Sequence, residues 1–415
     1  MTGLSELLAR RRRLMGARLH LFYDPPLELV RGEGVWLEDA AGRRYLDVYN
    51  NVPHVGHCHP RVVEAIARQA GRLNTNTRYL FRQALDYAES LCALLPDGFE
   101  ICAFVNSGSE AVDLAWRMAK AFTGNGGALV MEDAYHGWTE AVDALSPISA
   151  PDRPLHPHVR TLPAPRDGDD GAASADRSIV SLAEAGLRPA AFAVDPSFCT
   201  NGILEPPPGW LAGVFRRVRA AGGLCIADEV QAGFGRPGSR FWGFEMHDVV
   251  PDVVTMGKPM GNGHPVGAVA TRREIMEAFM ASTSFFSTFG GNTVACAAGL
   301  AVLEVLKEEG LQENARQVGA WLKPELRRLT ETHALIGAVR GEGLLLGLEL
   351  VRDRRSGEPA TEETGRLMNL MRDEGVLVGN EGRHGNVLKL RPPMPFGREH
   401  AERLVAALDL CLGRV

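Results

Sequence analysis

Residues 252–265 read DVVTMGKPMGNGHP and place a single lysine, Lys258, directly after a short apolar run. Glycine and proline surround this lysine so densely that no regular helix can form around it. Most lysines lie on solvated surfaces, where their long side chains keep their conformational freedom. A lysine fixed at the end of a predicted strand therefore indicates a specific task for its amine.

The chain on both sides of this stretch alternates between apolar runs and helical patterns from about residue 100. The runs that predict strands are ICAFV (101–105), ALVM (128–131), AAFAV (190–194), LCIA (224–227), DVVTM (252–256) and VGAVA (266–270). Strands separated by helices favour the α/β class, with a mostly parallel sheet flanked by helices. Residues 150–178, rich in Pro, Asp, Gly and Ala, are interpreted as a surface excursion from this domain.

The composition changes after about residue 310. The stretch GAVRGEGLLLGLELVRD (337–353) alternates glycine with apolar residues, which predicts a pair of strands. Helical and strand-like segments follow at 363–374 and 386–391, and an amphipathic helix is predicted near 398–411. We therefore predict a large domain at 46–310 and a smaller α+β domain at 311–415, which the N-terminal segment 1–45 joins.

Composition excludes several classes of function. The 45 basic and 51 acidic residues give a net charge of −6, which indicates no nucleic-acid partner. No stretch of 18 apolar residues predicts a membrane span, and the start lacks the apolar segment of a secretory signal. Seven cysteines without a C-x-x-C pair predict reduced thiols and a cytoplasmic protein. The Arg-rich start leaves an organellar presequence as an alternative.

The residues after each predicted strand form a set with a shared chemical meaning, because ligands of open α/β sheets bind beyond the carboxyl ends of the strands. NSGSE (106–110) supplies backbone N–H groups and the hydroxyls of Ser107 and Ser109 at a helix start, which suit a phosphate. The other strands are followed by EDAYHGW (132–138), Asp195-Pro196, DEVQAGFGR (228–236) and Gly257-Lys258. Taken alone, NSGSE is also an ordinary helix cap and Tyr135 an ordinary core aromatic.

Asp228 follows an apolar run, and a buried carboxylate needs a cationic partner. A pyridinium nitrogen would supply one; a helix cap or an ion pair with Arg236 are the alternatives. Together the strand ends predict pyridoxal 5′-phosphate (PLP), with its phosphate on Gly108 and Ser109 and its ring against Tyr135. Its ring nitrogen would then pair with Asp228, and its aldehyde would form a Schiff base with Lys258. A neutral lysine amine at this task also needs a lowered pKa.

Five stretches resemble the class III, fold type I PLP enzymes of the aminotransferase superfamily, and the resemblance extends over about residues 20–412. They are NSGSEAVDLAWRMAK, AYHGW, IADEVQAGFGRPG, TMGKPMGNGHPVGAV and FSTFGGNTVACAAGLAVLEVL. The resemblance implies that Val230 packs on the ring face opposite Tyr135, that Gln231 approaches the ring hydroxyl, and that His136 belongs to the cofactor site. It also implies that Thr288 reaches the PLP phosphate of a neighbouring subunit. A homodimer with shared active sites follows, with tetramers left open.

Within this family, NNVPHVGHCHPRVVEAIARQAGRLNTNTRYL, MGNGHPV and NVLKLRPPMPF are most similar to phospho-lyases. This likeness implies elimination of phosphate, with release of ammonia, from a phosphorylated amino alcohol such as ethanolamine phosphate. The alternative is an aminotransferase that moves an amino group between an amine or amino acid and a keto acid or aldehyde. Asp195-Pro196 departs from the Glu-Pro usual in the family, which leaves the substrate open.

Candidates to hold the substrate phosphate are cationic and amide side chains, because arginine binds oxyanions through two N–H groups at once. They are Asn74, Asn76, Arg78, Tyr79, Lys389 and Arg391. A surface ion pair is the alternative for Arg78, and Arg391 could equally bind the carboxylate of an aminotransferase substrate.

Other motifs predict less. HVGHCHP groups His54, His57, Cys58 and His59, but no second Cys/His cluster completes a metal site, so no metal is predicted. No strand precedes a G-x-G-x-x-G motif and no G-x-S-x-G motif occurs, which disfavours dinucleotide binding and hydrolase chemistry. A non-enzymatic binding module is the rival from another class, and the presence of Lys258 disfavours it.

Overall fold

The computed structural model describes residues 3–165, 168 and 171–415. The helices are α1 (Leu4–Met15), α2 (Pro60–Ala70), α3 (Arg82–Cys92), α4 (Gly108–Thr123), α5 (Glu140–Asp143), α6 (Gly171–Glu184), α7 (Trp210–Ala220), α8 (Arg273–Ser282), α9 (Thr293–Glu308), α10 (Leu311–Thr332), α11 (Thr361–Asp373) and α12 (Arg398–Leu412). The strands are β1 (Leu29–Glu33), β2 (Trp36–Asp39), β3 (Arg44–Asp47), β4 (Ile101–Val105), β5 (Gly127–Met131), β6 (Val159–Leu162), β7 (Pro189–Val194), β8 (Leu224–Asp228), β9 (Val253–Met256), β10 (Gly267–Thr271), β11 (Ile336–Glu342), β12 (Leu345–Asp353), β13 (Glu358–Pro359), β14 (Val376–Leu377), β15 (Gly379–Glu381) and β16 (Val387–Leu390).

Seven strands form the central sheet, in the order β4-β10-β9-β8-β7-β5-β6. The pairs from β9 to β6 are parallel, whereas β10 runs antiparallel to both β4 and β9. Most of these strands are buried along their whole length, as expected of a sheet covered on both faces. The predicted α/β class is confirmed, and all six predicted runs are strands.

The interpretation of residues 150–178 as a surface excursion is wrong in part. This segment contains β6, which pairs with β5 at the edge of the sheet, and the first half of α6. Several small residues of α6 are buried, and the helix packs on α7 and β6. Its Ala- and Ser-rich composition hid an amphipathic face that has few large apolar residues.

Two smaller sheets flank the central one. The first has the order β1-β2-β3-β14, and in it β14 from the C-terminal part pairs in parallel with β3. The second has the order β11-β12-β16-β15, with β13 on the side of β12. The predicted strand pair at 337–353 is confirmed as the antiparallel pair β11 and β12. These sheets, together with α10–α12, form the α+β part of the fold.

The start of α4 shows how the sequence places functional residues at the end of a strand. The chain leaves β4, and the Ser107 side chain caps the helix by accepting a hydrogen bond from the N–H of Glu110 at 3.2 Å. Because β4 lies in the central sheet, this cap fixes the first turn of α4 beyond the carboxyl end of the strand. No helix in the described part of the chain is long and apolar enough to cross a membrane.

Candidate cofactor site

A cavity of about 300 Å³ opens at the carboxyl ends of the central strands. Most of the residues that line it follow β4, β5, β7, β8 and β9, which are the strand ends that the sequence singles out. They are Ser107, Gly108, Ser109, Tyr135, His136, Gly137, Asp195, Asp228, Val230, Gln231 and Lys258, and Val52, Asn106 and residues 263–266 complete the lining.

Lys258 extends into this cavity from the end of β9. The Gly257 backbone has φ −165° and ψ −107°, and a short 3₁₀ turn over Lys258–Gly261 follows it. The lysine side chain is exposed within the cavity, which is open to solvent on one side. The pKa of Lys258 is lowered from 10.5 to about 8, mainly by burial and then by the charge of Arg391, while Asp228 opposes both effects. A substantial fraction of the amine is therefore neutral near pH 8.

Asp228 is held by groups on both of its carboxylate oxygens. Its Oδ2 lies 2.8 Å from Nδ1 of His136. Its Oδ1 accepts hydrogen bonds of 3.3 Å from the hydroxyl of Thr255 and from the N–H of Val230. The carboxylate is buried yet lines the cavity. It is therefore rigidly oriented and can hold a proton on a cationic ring nitrogen placed in the cavity.

The ion pair between Asp228 and Arg236, one of the two alternatives, is not formed. Arg236 is fully buried, and its Nη1 donates to the carbonyls of Leu344 and Pro392 at 3.0 and 2.7 Å. Its Nη2 lies 3.1 Å from Nδ1 of His54, whose Nε2 lies 2.8 Å from the carbonyl of Phe234. Burial lowers the pKa of His54 well below its usual range, so its ring is neutral and can accept from Arg236.

The first turn of α4 forms a narrow cradle. A Cβ on Gly108 would lie 2.9 Å from Cγ2 of Val230, and a Cβ on Gly257 would lie 3.1 Å from the backbone of Gly108. A side chain at Gly108 would press on Val230, so glycine here keeps the first N–H groups of the helix accessible to an anion. Together with the lysine amine and the fixed carboxylate, this donor set fits PLP.

Tyr135, Val230 and Gln231 also line the cavity, as the resemblance implies. The Tyr135 side chain is partly exposed, which leaves a ring face free for stacking. Oε1 of Gln231 accepts a hydrogen bond of 3.4 Å from Nδ2 of Asn51, which fixes the orientation of the amide. These side chains are therefore placed where a flat ring could contact them.

Asp195 lines the same cavity, but its carboxylate is bonded to its own loop. Oδ1 accepts from the N–H and the hydroxyl of Ser197 at 2.9 and 2.6 Å, and Oδ2 accepts from the N–H of Cys199 at 3.1 Å. Burial raises the pKa of Asp195, and the nearby charge of Asp228 adds to this effect. The short aspartate side chain thus stabilises the loop that follows β7.

Arg391 and Lys389 form a buried cationic pair near Lys258. Each is only 2% exposed, and both lie against the ring of Tyr49, at 5.6 and 5.3 Å from its centroid. Glu381 forms an ion pair with Lys389. Nε and Nη1 of Arg391, in contrast, are buried without a hydrogen-bond partner in the described part of the chain. Buried N–H donors of a charged group that lack partners are a place for an anion.

Seven predicted residues are not among those that line this cavity. Two of them are the buried cations Lys389 and Arg391, and the other five lie at the surface. Asn74, Arg78, Tyr79 and Thr288 are exposed, and Asn76 is partly exposed. Oδ1 of Asn76 accepts from the N–H of Arg78 at 3.1 Å, and the Arg78 guanidinium lies 4.0 Å from the ring centroid of Phe286. Within one chain these residues therefore form a surface between 73–80 and 284–291 and do not reach Lys258.

The histidines of HVGHCHP contact separate partners. His57 lies 2.7 Å from Asp47, and His59 lies 3.0 Å from Glu309, while His54 contacts Arg236. Cys58 is exposed. No group of three metal-ligating side chains is found in the part of the chain that the structure describes.

Two residues that support the site were not predicted from the sequence. Thr255 is buried in β9 and binds Asp228, and the one hydroxyl in the apolar run DVVTM was a signal for it. Ser146 is buried and binds the backbone of His136 and Gly137, which no pattern in the sequence indicates.

The model of the family described as aminotransferase class III matches residues 22–412. The chain belongs to the class III aminotransferase family. The enzymes of this family use PLP, and PLP is the cofactor of this enzyme.

Three known proteins show where in the family the chain lies. An alanine–glyoxylate aminotransferase 2-like protein of Drosophila melanogaster is 42% identical over 99% of this chain and 87% of that protein. Ethanolamine-phosphate phospho-lyase homolog 1 of Caenorhabditis elegans is 39% identical over 98% of this chain and 93% of that protein. The structure of a phospholyase from Arthrobacter in complex with phosphoethanolamine is 46% identical, with a TM-score of 0.95 over 99% of this chain and all of that one.

Proposed function

We propose that this enzyme is a PLP-dependent phospho-lyase. It eliminates phosphate from a phosphorylated amino alcohol such as ethanolamine phosphate, and one water molecule then converts the remaining unsaturated amine into ammonia and an aldehyde. The observation that carries the proposal is the similarity to the Arthrobacter phospholyase, whose structure contains phosphoethanolamine and matches this fold along its whole length.

We assign the two central steps to Lys258 and Asp228. The neutral Lys258 amine accepts the proton from the carbon that bears the substrate nitrogen, and its pKa of about 8 supports this role near neutral pH. PLP, when bound, supplies a sink for the electron pair that this step releases. Asp228 stabilises a proton on the ring nitrogen, while His136 and Thr255 hold its carboxylate in place.

Elimination requires that the neighbouring carbon carries a good leaving group and that the enzyme binds this group. Arg391 supports this requirement because Nε and Nη1 of its buried guanidinium have no partner in the described structure. We propose that Arg391 binds the phosphate dianion, with Lys389 as a second positive charge nearby. Glu381 offsets the charge of Lys389, so the net attraction comes mainly from Arg391.

An aminotransferase is the second candidate, and the 42% identity to the Drosophila protein named for that activity favours it. In that reaction Arg391 would bind a substrate carboxylate, and the amino group would stay on the enzyme until a keto acid or aldehyde accepts it. The two candidates differ in their requirement for an acceptor, since elimination needs none.

The experiment compares two incubations of the PLP-loaded enzyme. One contains ethanolamine phosphate alone, and the other contains an amine together with pyruvate. We expect inorganic phosphate and ammonia in equal amounts from the first, with no acceptor added. Alanine from the second incubation, with no phosphate from the first, would replace the lyase by the aminotransferase.

We further propose that the working unit is a homodimer, with tetramers left open, in which each copy completes the site of the other. Thr288 would reach the phosphate of the partner's PLP, and Asn76, Arg78 and Tyr79 would face its substrate. In support, the surface formed by 73–80 and 284–291 exposes large apolar side chains, with Leu80 97% and Phe289 69% exposed in the single chain.

Introducing a charge into this surface tests the dimer. Leu80→Asp should yield monomers in sedimentation velocity, with the loss of most phosphate release, because an apolar interface excludes an unpaired carboxylate. Leu155→Asp, which alters an exposed leucine outside this surface, is the matched control and should leave the dimer intact. A fully active Leu80→Asp monomer would contradict the shared site.

The proposed domain division keeps 46–310 as the PLP-binding domain, 311–415 as the small domain and 1–45 as a segment that joins it. Two hydrogen bonds support an association of the N-terminal segment with the C-terminal part: the Tyr23 hydroxyl donates to the carbonyl of Val378 at 2.7 Å, and Arg372 donates to the carbonyl of Pro25 at 2.6 Å. We also propose a cytoplasmic location, which the seven unpaired cysteines support.

A further inference from the structure

Ser146 lies just after α5, is completely buried, and does not line the cofactor cavity. Its hydroxyl oxygen accepts a hydrogen bond of 2.9 Å from the N–H of His136 and one of 3.3 Å from the N–H of Gly137. The single hydroxyl proton is donated to the carbonyl of Val142 at 2.8 Å or to that of Gly137 at 3.1 Å. A serine hydroxyl has one proton and two lone pairs, so these three bonds use its full capacity.

The segment that Ser146 holds carries three functions of the cofactor site. Tyr135 offers a ring face to the cavity, His136 binds Asp228, and Gly137 packs closely on Ser109. The backbone of Gly137 has φ +146°, and a Cβ there would lie 2.4 Å from Oγ of Ser109. This turn has no regular secondary structure, so its N–H groups need acceptors outside a helix or sheet.

Two serines supply those acceptors. Ser146 binds the N–H groups of His136 and Gly137, and Ser109 accepts from the next one, that of Trp138, at 3.3 Å. Ser109 belongs to the cradle at the start of α4 and faces the cavity. Ser146 reaches the turn from the opposite, buried side, so its hold on the turn does not depend on what the cavity contains.

We propose that Ser146 is a positioning residue for PLP: its hydroxyl fixes the His136–Gly137 backbone so that the His136 ring meets Asp228. Without that acceptor, two buried N–H groups lack a partner, and the turn must move to find water or another oxygen. Any such movement displaces the imidazole from a 2.8 Å contact with the carboxylate. The site then loses the group that orients the partner of the cofactor's ring nitrogen.

Ser178 provides a matched control within the same chain. It is also a buried serine in the large domain, and its hydroxyl donates to the carbonyl of Thr161 at 2.9 Å. It lies on α6 and does not line the cavity. Ser178→Ala therefore removes a buried hydroxyl of the same kind without releasing any N–H group of the cofactor site.

The experiment measures the dissociation constant of PLP for Ser146→Ala, Ser178→Ala and the unaltered enzyme, by absorbance titration of the apoenzyme. Leaving buried N–H groups without an acceptor should weaken PLP binding by about 10- to 100-fold in Ser146→Ala. Ser178→Ala should stay within about twofold of the unaltered enzyme, since it changes only general stability. Ser146→Thr, which restores the hydroxyl, should recover most of the affinity.

A double-mutant cycle separates positioning from general destabilisation. If Ser146 acts through His136, then Ser146→Ala should weaken PLP binding by less than about threefold when His136 is already alanine. The pH midpoint of the bound-cofactor absorption band should also move in Ser146→Ala and stay fixed in Ser178→Ala. Should Ser146→Ala not be recovered folded, Ser146→Cys takes its place, because sulfur is a weak acceptor of similar shape.

The proposal is overturned if folded Ser146→Ala binds PLP within about twofold of the unaltered enzyme, or if Ser178→Ala loses as much affinity. An effect of equal size with and without the His136 side chain would also overturn it. Each of these results would make Ser146 a residue of ordinary structural importance.

Discussion

The cofactor cavity and the surface formed by 73–80 and 284–291 both contain site residues predicted from the sequence, but the fold places the two sets in different surroundings. In the cavity, Lys258, Asp228 and the start of α4 meet at one edge of the central sheet, and buried hydrogen bonds fix them. On the surface, Arg78 and Thr288 are exposed in loops, and Leu80 has no covering residue in the described chain.

The difference separates what one chain builds from what needs a second chain. Strand ends are placed by the sheet, so side chains attached to them converge without help. Loops that expose leucine and phenylalanine to water lack such a framework and bury their apolar side chains only against another surface. The comparison therefore predicts that substitutions in the cavity lower activity in monomers and dimers alike. Substitutions on the surface should lower activity only by weakening the dimer or the site that its two copies share.

The largest expected effect comes from Lys258→Ala. Loss of the base and of the amine that binds the cofactor should lower phosphate release from ethanolamine phosphate by at least about 10⁴-fold. The matched control is Lys323→Ala, which removes a lysine paired with Glu205 on the surface and should keep the rate within about twofold. Borohydride treatment followed by peptide mapping should find the cofactor on Lys258. A label on another lysine would contradict the assignment of Lys258 as the lysine that binds the cofactor.

Arg391→Met should raise the KM for ethanolamine phosphate by about 100-fold, because it removes a charged donor pair from a buried site while keeping similar volume. The counterpart on the surface is Arg78→Met, for which we expect about a tenfold effect in the dimer. Steady-state kinetics of phosphate release measures both. If Arg78→Met has no effect in a proven dimer, the surface contributes apolar contact only.

Reconstitution of the apoenzyme should depend on pH through Lys258. Its pKa is lowered to about 8, so the amine gains a proton as the pH falls through 8 and becomes neutral as the pH rises. The rate of PLP attachment should be at a plateau above pH 9 and about one tenth of that plateau at pH 7. Stopped-flow absorbance measures this rate. Because the charge of Arg391 lowers the pKa of Lys258, Arg391→Met should move the midpoint of this pH dependence upward. An unchanged midpoint would show that Arg391 does not influence the Lys258 amine.

The smallest expected effect is that of Thr288→Val. If Thr288 contacts the partner's cofactor, loss of one hydroxyl should weaken PLP binding about fivefold in the dimer. Thr283→Val, at the half-buried residue that ends α8 just before this surface, is the control and should have no measurable effect. Equilibrium dialysis of the apoenzyme gives both constants. Equal PLP affinities of the two variants would contradict the assignment of Thr288 to the shared site.

Much of the cofactor site was predictable because it depends on rules that act locally. Apolar runs predicted six strands of the central sheet, and the residue after a strand must lie at its carboxyl end. Lys258 and Asp228 follow directly from this geometry. The antiparallel direction of β10 was not predicted, because the apolar pattern of a strand carries no direction. The signal was the connection itself: residues 257–266 contain only a 3₁₀ turn, and a connection without a crossover helix favours antiparallel strands.

The supporting residues depend on contacts that no periodic pattern records. Ser146 matters because its hydroxyl meets two N–H groups of a turn ten residues earlier, which requires the turn to be known first. Arg236 was considered as an ion-pair partner on charge alone, yet it binds carbonyls more than a hundred residues away along the chain. Charge predicts that a buried group needs partners, and only the fold decides which ones.

The buried guanidinium of Arg236 also sets an order of assembly. Nearly all residues of the cofactor cavity lie between 106 and 266, whereas the carbonyls that bind this guanidinium belong to Leu344 and Pro392. During synthesis the ribosome therefore releases the cofactor-binding part before the groups that seal the interior around Arg236 exist. Until they arrive, this cation must stay hydrated, because an ion without its ligands cannot enter an apolar core. The arrival of the C-terminal strands is thus the step that closes the interior.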